Sequence, residues 1–113
     1  MVRISAGAER DLAAIWRRRL AQRGPEGPDG ADALLDRIVA RIEGLSEHPM
    51  LGAIPPELEA LGIRAYRQLS LPPFRIIYLP QESEAGLTVS VVVIADARRD
   101  FRALLEERLL RER

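Results

Sequence analysis

The fold is decided by residues 74–94, which read FRIIYLPQESEAGLTVSVVVI. Residues 74–79 are rich in aromatic and β-branched side chains and residues 87–94 are richer still, so both predict β-strands. The connection at residues 80–86 is short enough for a hairpin, which makes this pair antiparallel. Just upstream, residues 63–69 alternate with a period of two and predict a further strand. The sequence therefore predicts a meander of three strands.

Two amphipathic helices precede the meander. Apolar side chains recur at helical spacing over residues 8–20, with Ser5 as the expected N-cap and Gly24 ending the helix. Residues 31–45 carry a wider apolar stripe behind an expected N-cap at Asp29. Because the loop between them is short, we expect a helical hairpin that covers one side of the sheet. The residues expected to face one another across it are Leu12, Ile15, Trp16 and Leu20 on the first helix and Leu34, Leu35, Ile38, Val39 and Ile42 on the second.

The remaining elements are short. Residues 2–4 are compatible with a strand, which we expect to pair with an edge of the meander, and residues 57–61 could form one helical turn. Asp100 is the expected cap of a final helix with apolar positions at Phe101, Leu104, Leu105 and Leu109. The order β-α-α-β-β-β-α indicates an α+β fold, a helical hairpin packed on a small, mainly antiparallel sheet.

Composition limits the kind of protein. The chain has 113 residues, 47% of them hydrophobic, which predicts one domain spanning residues 1–113. It has no cysteine and one histidine, His48, so we expect no disulfide, no metal site and no cofactor. Charges interrupt every apolar run and the N-terminus does not resemble a secretory signal, so we expect no membrane segment and a cytoplasmic location.

The charges are balanced but segregated. All seventeen basic residues are arginine, and seventeen acidic residues bring the net charge to zero. This balance argues against a general nucleic-acid coat. Residues 61–79 nevertheless contain Arg64, Arg67 and Arg75 and no acidic residue, so we expect a candidate site there. The opposing interpretation is that these are exposed strand residues, with Arg75 paired to a carboxylate.

A set of short phrases recurs in a fixed order along the chain. They are Glu9-x-Asp-Leu-x-x-Ile-Trp16, Ile42-x-x-Leu45 with Pro49 and Gly52, Gly62-Ile-Arg64, Phe74-Arg-Ile-Ile-Tyr78 and Ala97-Arg-Arg-Asp100. In order and spacing they resemble the RelE/ParE toxin superfamily over nearly the whole chain. The resemblance implies the toxin of a type II toxin–antitoxin system, of the plasmid stabilisation kind, in a hetero-oligomer with a cognate antitoxin.

The superfamily has two functional branches. The RelE-like branch cleaves mRNA on the ribosome and needs side chains that move protons and stabilise a phosphate. If this chain were such an endoribonuclease, the resemblance would assign catalysis to Arg75, Arg98 and Arg99. Ser70 stands where that branch offers an arginine, however, and the last helix has neither tyrosine nor histidine. These departures favour the ParE-like branch, which inhibits DNA gyrase without chemistry of its own.

Binding residues are predicted on the same grounds. Without a catalytic site, the candidates for contact with the target or the antitoxin are Arg64, Arg67, Arg75, Arg98, Arg99 and Trp16. Arg98 and Arg99 precede a helix N-terminus, where their charge opposes the helix dipole and calls for a separate reason. Asp96 could hold one of them by a charge-assisted hydrogen bond. For Trp16, packing within the hairpin is the simpler interpretation and a partner anchor the alternative.

Overall fold

The computed structural model describes residues 1–111 and shows an α+β fold with the expected element order. The elements are β1 (Val2–Ile4), α1 (Ala6–Arg23), α2 (Ala31–Glu43), α3 (Pro56–Glu59), β2 (Arg67–Leu71), β3 (Phe74–Ser83), β4 (Gly86–Asp96) and α4 (Phe101–Leu105). A 3-10 turn at Gly44–Ser46 follows α2, and a π-helical segment at Glu106–Arg111 follows α4. The expected domain of residues 1–113 extends two residues beyond the described part. Within residues 1–111, no helix is both long enough and apolar enough to cross a membrane.

The four strands form one mixed sheet in the order β1-β4-β3-β2. The pairs β2–β3 and β3–β4 are antiparallel, whereas β1 is parallel to β4. This confirms the mainly antiparallel sheet and the pairing of the first strand with its edge. A β-bulge interrupts the β3–β4 ladder, because Ile77 pairs with Val93 and Tyr78 with Val91, leaving Val92 as the extra residue.

The β3–β4 hairpin is longer than expected. The sequence predicted a connection over residues 80–86, but β3 continues to Ser83 and β4 begins at Gly86. Pro80 belongs to the strand because β2 accompanies β3 only as far as Tyr78, which leaves β3 an edge strand at the proline. The missing N–H of a proline is tolerated at such an edge. The proline therefore did not mark the end of the strand.

The strand expected over residues 63–69 begins late, at Arg67. Gly62 adopts a positive φ of 78°, and the N–H of Ile63 donates to the carbonyl of Leu58 at the end of α3. Ile63 and Tyr66 pack against the apolar cluster under α4. The alternation of residues at the start of the 63–69 stretch therefore belongs to a packed loop and not to a strand.

The start of α2 also differs from expectation, because its N-cap is Gly30 and not Asp29. Gly30 has no capping side chain; instead the first N–H groups of the helix, those of Ala31 and Asp32, donate to the carbonyls of Gly24 and Pro25. A side chain at residue 30 would collide with the loop carbonyls. The preceding loop thus performs the capping that the sequence assigned to a side chain.

Both faces of the sheet are covered. The hairpin face, under α1 and α2, buries one apolar cluster: Ala8, Leu34, Ile38, Ile42, Leu45, Leu69, Phe74, Ile76, Tyr78, Val89, Val91 and Ile94. Leu12 and Ile15 are half-buried against it. The C-terminal face, under α3 and α4, buries a smaller cluster: Leu58, Ile77, Val93, Ala95, Phe101, Leu104 and Leu105. Leu109 packs against this cluster, so the apolar positions predicted for the last helix are confirmed.

Candidate functional site

Asp96, the last residue of β4, organises the turn that presents the Ala97–Asp100 phrase. Its carboxylate accepts the Nε and Nη2 of Arg98 at 3.0 and 2.8 Å and the Arg98 backbone N–H at 2.9 Å. These bonds hold the pKa of Asp96 at about 2, with smaller help from the charges of Arg98 and Arg18. The expected charge-assisted hydrogen bond is therefore present, and its donor is Arg98. The Arg98 side chain nevertheless stays 87% exposed, so its outer edge is accessible to a partner.

Arg99 extends in another direction, onto the rim of a small groove between α1 and the end of β4. The groove has a volume of about 80 Å³, an apolar floor that includes Ile15 and Phe74, and Arg18 of α1 on its rim. Asp100 turns away and accepts the N–H of Ala103 at 3.1 Å, capping α4 as predicted. The Ala97–Asp100 phrase thus combines a helix cap with two exposed arginines.

Asp11, which also lines this groove, belongs to a half-buried ion pair. Arg108 donates to both carboxylate oxygens of Asp11, at 3.0 and 3.2 Å, and each side chain is 16% exposed. Both partners also reach the bulge in β4: Asp11 accepts the N–H of Ile94, and Arg108 donates to the carbonyl of Val92. The pair thereby fastens α1, β4 and the segment after α4 together.

Arg75, predicted as a binding or catalytic residue, lies in a fully occupied environment. It donates two bonds to Glu57 of α3, at 2.8 and 2.9 Å, and two to the side-chain oxygen of Gln68. Its guanidinium stacks 4.0 Å from the ring centre of Phe101. The hydrogen bonds from Arg75 lower the pKa of Glu57. The arginine therefore joins α3, the sheet and α4, in line with the interpretation that paired it to a carboxylate.

The other two arginines of the acid-free block are separated from Arg75. Arg64 is exposed and pairs with Glu59 at 2.7 Å. Arg67 shares the hairpin side of β2 with Leu69, because alternate residues of a strand face the same way. It donates to the carbonyl of Gly52, whose own N–H donates to the hydroxyl of buried Tyr78 at 2.9 Å. The structure thus does not bring the three arginines together into one basic face.

Trp16 is half-buried within the hairpin. Its indole N–H donates to the Asp32 carboxylate of α2 at 3.0 Å. The bond links the two helices, which fits the packing interpretation.

Sequence reasoning missed three residues of this region. Asp11, Arg18 and Arg108 were not predicted as site residues, although Asp11 and Arg108 form the ion pair and Asp11 and Arg18 line the groove. Asp11 and Arg108 are 97 residues apart, so no local spacing could connect them. For Arg18, a signal was present in the three consecutive arginines at 17–19 near the end of α1. Positive charge there also complements the helix dipole, so the run alone does not indicate a site.

Comparisons with known proteins agree with this architecture. No curated protein sequence matches the chain. Among solved structures, the chain is similar to one described as a chromosomal ParDE toxin–antitoxin system from P. aeruginosa, at 22% identity and a TM-score of 0.64, covering 84% of this chain and 92% of that one. It is also similar to one described as the toxin–antitoxin complex RelBE2 from Mycobacterium tuberculosis, at 19% identity and a TM-score of 0.54, covering 85% and 95%. At these identities the two structures support the fold.

The family itself is given by a sequence model. The model of the ParE toxin of the type II toxin–antitoxin system parDE matches residues 2–101, from β1 to the start of α4. This chain therefore belongs to the ParE toxin family of type II toxin–antitoxin systems.

Proposed function

We propose that this ParE-type toxin acts in the cytoplasm by inhibiting DNA gyrase and that a cognate antitoxin neutralises it. The observation that carries the proposal is the family match over residues 2–101. A toxin that binds a topoisomerase needs exposed contact groups rather than proton-transfer groups. We assign this contact to Arg98 and Arg99, which lie in the turn between β4 and α4 and are both exposed.

The state of Arg75 supports binding over RNA cleavage. A ribonuclease of the RelE kind would use this arginine to stabilise a pentacoordinate phosphate. Here the guanidinium is occupied by Glu57, Gln68 and the Phe101 ring, and its side chain is 15% exposed. Releasing it for a phosphate would break its hydrogen bonds to Glu57 and Gln68 and its stacking on Phe101. On the last helix, Leu104 and Leu105 are buried and offer no group that could move a proton.

An antitoxin partner is supported by the kind of protein that resembles this chain. The two similar structures are described as a ParDE system and a RelBE2 complex, each pairing a toxin with an antitoxin. A toxin gene is tolerated by its host only when a partner holds the product inactive. We infer that the antitoxin gene lies beside this one and that the two products form a hetero-oligomer.

The test separates the two branches by their targets. The chain is expressed from an inducible promoter without the antitoxin, and the purified protein is then added to a gyrase supercoiling assay and to a translating ribosome extract. We expect growth arrest, loss of supercoiling and intact mRNA. Codon-positioned mRNA fragments with normal supercoiling would assign the chain to the ribonuclease branch, and growth that continues despite folded protein would identify an inactive relative.

Two arginine variants make the assay specific to the proposed contact surface. Arg98→Ala and Arg99→Ala remove exposed charges and are expected to weaken gyrase inhibition about tenfold each, as loss of a central arginine contact does at many interfaces. Arg41→Ala is the matched control, because this arginine is exposed on α2, away from the β4–α4 turn. Equal inhibition by all three variants would remove the β4–α4 turn from the contact surface.

A further inference from the structure

The groove of about 80 Å³ between α1 and the end of β4 has a neighbour along α1. A second cavity of about 40 Å³ adjoins the first, and the two share Ile15, Arg18 and Phe74 as lining residues. The second cavity continues along α1 past Arg19 and Gln22 to Leu34 of α2. The result is a continuous shallow groove with an apolar floor that runs from the sheet onto the helical hairpin.

The uncompensated charge of this groove is positive. Its two acidic residues are already bound, Asp11 by Arg108 and Asp96 by Arg98. Among the side chains of residues 1–110, neither Arg18 nor Arg99 has a salt-bridge or side-chain hydrogen-bond partner. An arginine guanidinium presents paired donors that match a carboxylate. Two of them lining one small cavity therefore favour an acidic group there.

The backbone alongside the groove is closed to strand addition. The last residue of β1, Ile4, pairs with Val91. Within residues 1–111, no strand accompanies the rest of β4 on this side. Along this part of β4, the N–H of Ile94 donates to Asp11, and the carbonyl of Val92 accepts from Arg108. An added strand would need these same backbone groups. An occupant of the groove must therefore be held by its side chains and not by its backbone.

We propose that this groove binds an acidic side chain of the cognate antitoxin, carried on a segment that also places an aliphatic side chain against Ile15 and Phe74. The carboxylate lies between Arg18 and Arg99, and the neighbouring cavity along α1 receives the aliphatic group. The volume suits one short acidic side chain and is small for a nucleotide, which favours a protein partner over a nucleic acid. This assignment rests on the proposed function, since it takes the antitoxin as the partner.

The test measures the affinity of the purified product of the adjoining antitoxin gene for the toxin and its variants by calorimetry. Arg18→Gln and Arg99→Gln are each expected to weaken binding about tenfold, the range for loss of a charge-assisted contact at an interface. Higher salt should weaken antitoxin binding by the wild type more than by the variant that carries both Arg18→Gln and Arg99→Gln. The reason is that salt screens exposed charges, which the double variant lacks in the groove. Arg17→Gln is the matched control: it removes the same charge from the neighbouring exposed position of α1 but lines neither cavity.

A double-mutant cycle identifies the occupant. Each acidic residue of the antitoxin is replaced by its amide and measured against wild-type toxin and Arg18→Gln. We expect one of them to show a coupling of about fivefold or more, which marks the residue in the groove.

Failure of the groove and failure of the proposed function give different results. If wild-type toxin does not bind the antitoxin product, the proposed function falls and the groove assignment with it. If wild type binds and the two groove variants bind equally well, the groove assignment alone is overturned. Unchanged antitoxin affinity with lost gyrase inhibition would instead assign the groove to the target.

Discussion

The two faces of the sheet are stabilised in different ways. The hairpin face is covered by two long helices whose buried contacts are aliphatic and aromatic, with Ile38 and Tyr78 fully buried at its centre. The C-terminal face is covered by short elements, and arginines fasten them: Arg75 joins α3 and α4 to the sheet, and Arg108 joins the chain after α4 to α1. One layer is held by hydrocarbon burial, and the other depends on charge pairing at its margins.

This difference bears on how an arginine-rich sequence should be interpreted. Hydrocarbon burial is strong and weakly directional, whereas a half-buried ion pair is directional and fails when one partner is removed. The arginines on and around the sheet are therefore divided between two tasks. Arg75 and Arg108 are structural, whereas Arg18 and Arg99 line the groove and Arg98 is exposed on the turn beside it.

The largest effect is expected from a cavity in the hairpin face. Ile38→Ala removes a fully buried side chain from α2, and such truncations cost about 2–5 kcal/mol of a total of about 5–15 kcal/mol. We expect toxicity to disappear because the domain unfolds, and urea denaturation to show the lost free energy of unfolding. Saturating antitoxin should partly restore the fold, since a ligand that binds the native state stabilises it. An Ile38→Ala protein with wild-type stability would contradict the assignment of this core.

A smaller loss is expected when the ion pair at the β4 bulge is broken. Asp11→Ala leaves the guanidinium of Arg108 and the N–H of Ile94 without their partner, and unsatisfied half-buried groups cost about 1–3 kcal/mol. We expect the loss to be local, and to be measured as faster amide hydrogen exchange at Ile94 in β4 and along the segment after α4. Glu9→Ala, which removes an exposed acid two residues earlier on the same helix, serves as the control. Equal exchange in the two variants would show that the pair does not fasten this segment.

The charge pairing of the C-terminal face should also appear in the pH dependence of stability. Hydrogen bonds from Arg75 lower the pKa of Glu57 in the folded chain. The contribution of the Glu57–Arg75 pair to the free energy of unfolding is therefore complete above the unfolded pKa of about 4.3. It is lost as the pH falls from there through the lower pKa of the folded state. The difference in free energy of unfolding between wild type and Glu57→Gln should therefore be constant above pH 5 and shrink toward pH 3. Comparing the two proteins cancels the other carboxylates. A difference that does not change with pH would mean that the Glu57–Arg75 pair contributes little.

The sequence predicted the hairpin face well because its signals are local. Helical spacing of apolar residues identified α1 and α2, and β-branched runs identified β3 and β4. The C-terminal face escaped prediction in its details, since its contacts join distant residues: Arg75 and Glu57 are 18 apart, and Arg108 and Asp11 are 97 apart. The same limit applies to the groove, where Arg18 and Arg99 come to line one cavity only after α1 packs beside β4. Spacing along the chain could indicate an arginine of interest but not its partner.

The smallest effect on stability, and the sharpest contrast with Ile38, is expected for Arg98→Ala. The side chain is 87% exposed and its pairing with Asp96 lies at the surface, so solvent screens the interaction and its removal should leave the melting temperature unchanged within error. Asp96 also retains its bond to the backbone N–H of residue 98, which the substitution preserves, so the turn into α4 should persist. Any loss of toxicity in this variant would therefore come from contact with a partner and not from the fold. If Arg98→Ala unfolded the chain while Ile38→Ala did not, the division into a buried hairpin core and an exposed contact surface would be wrong.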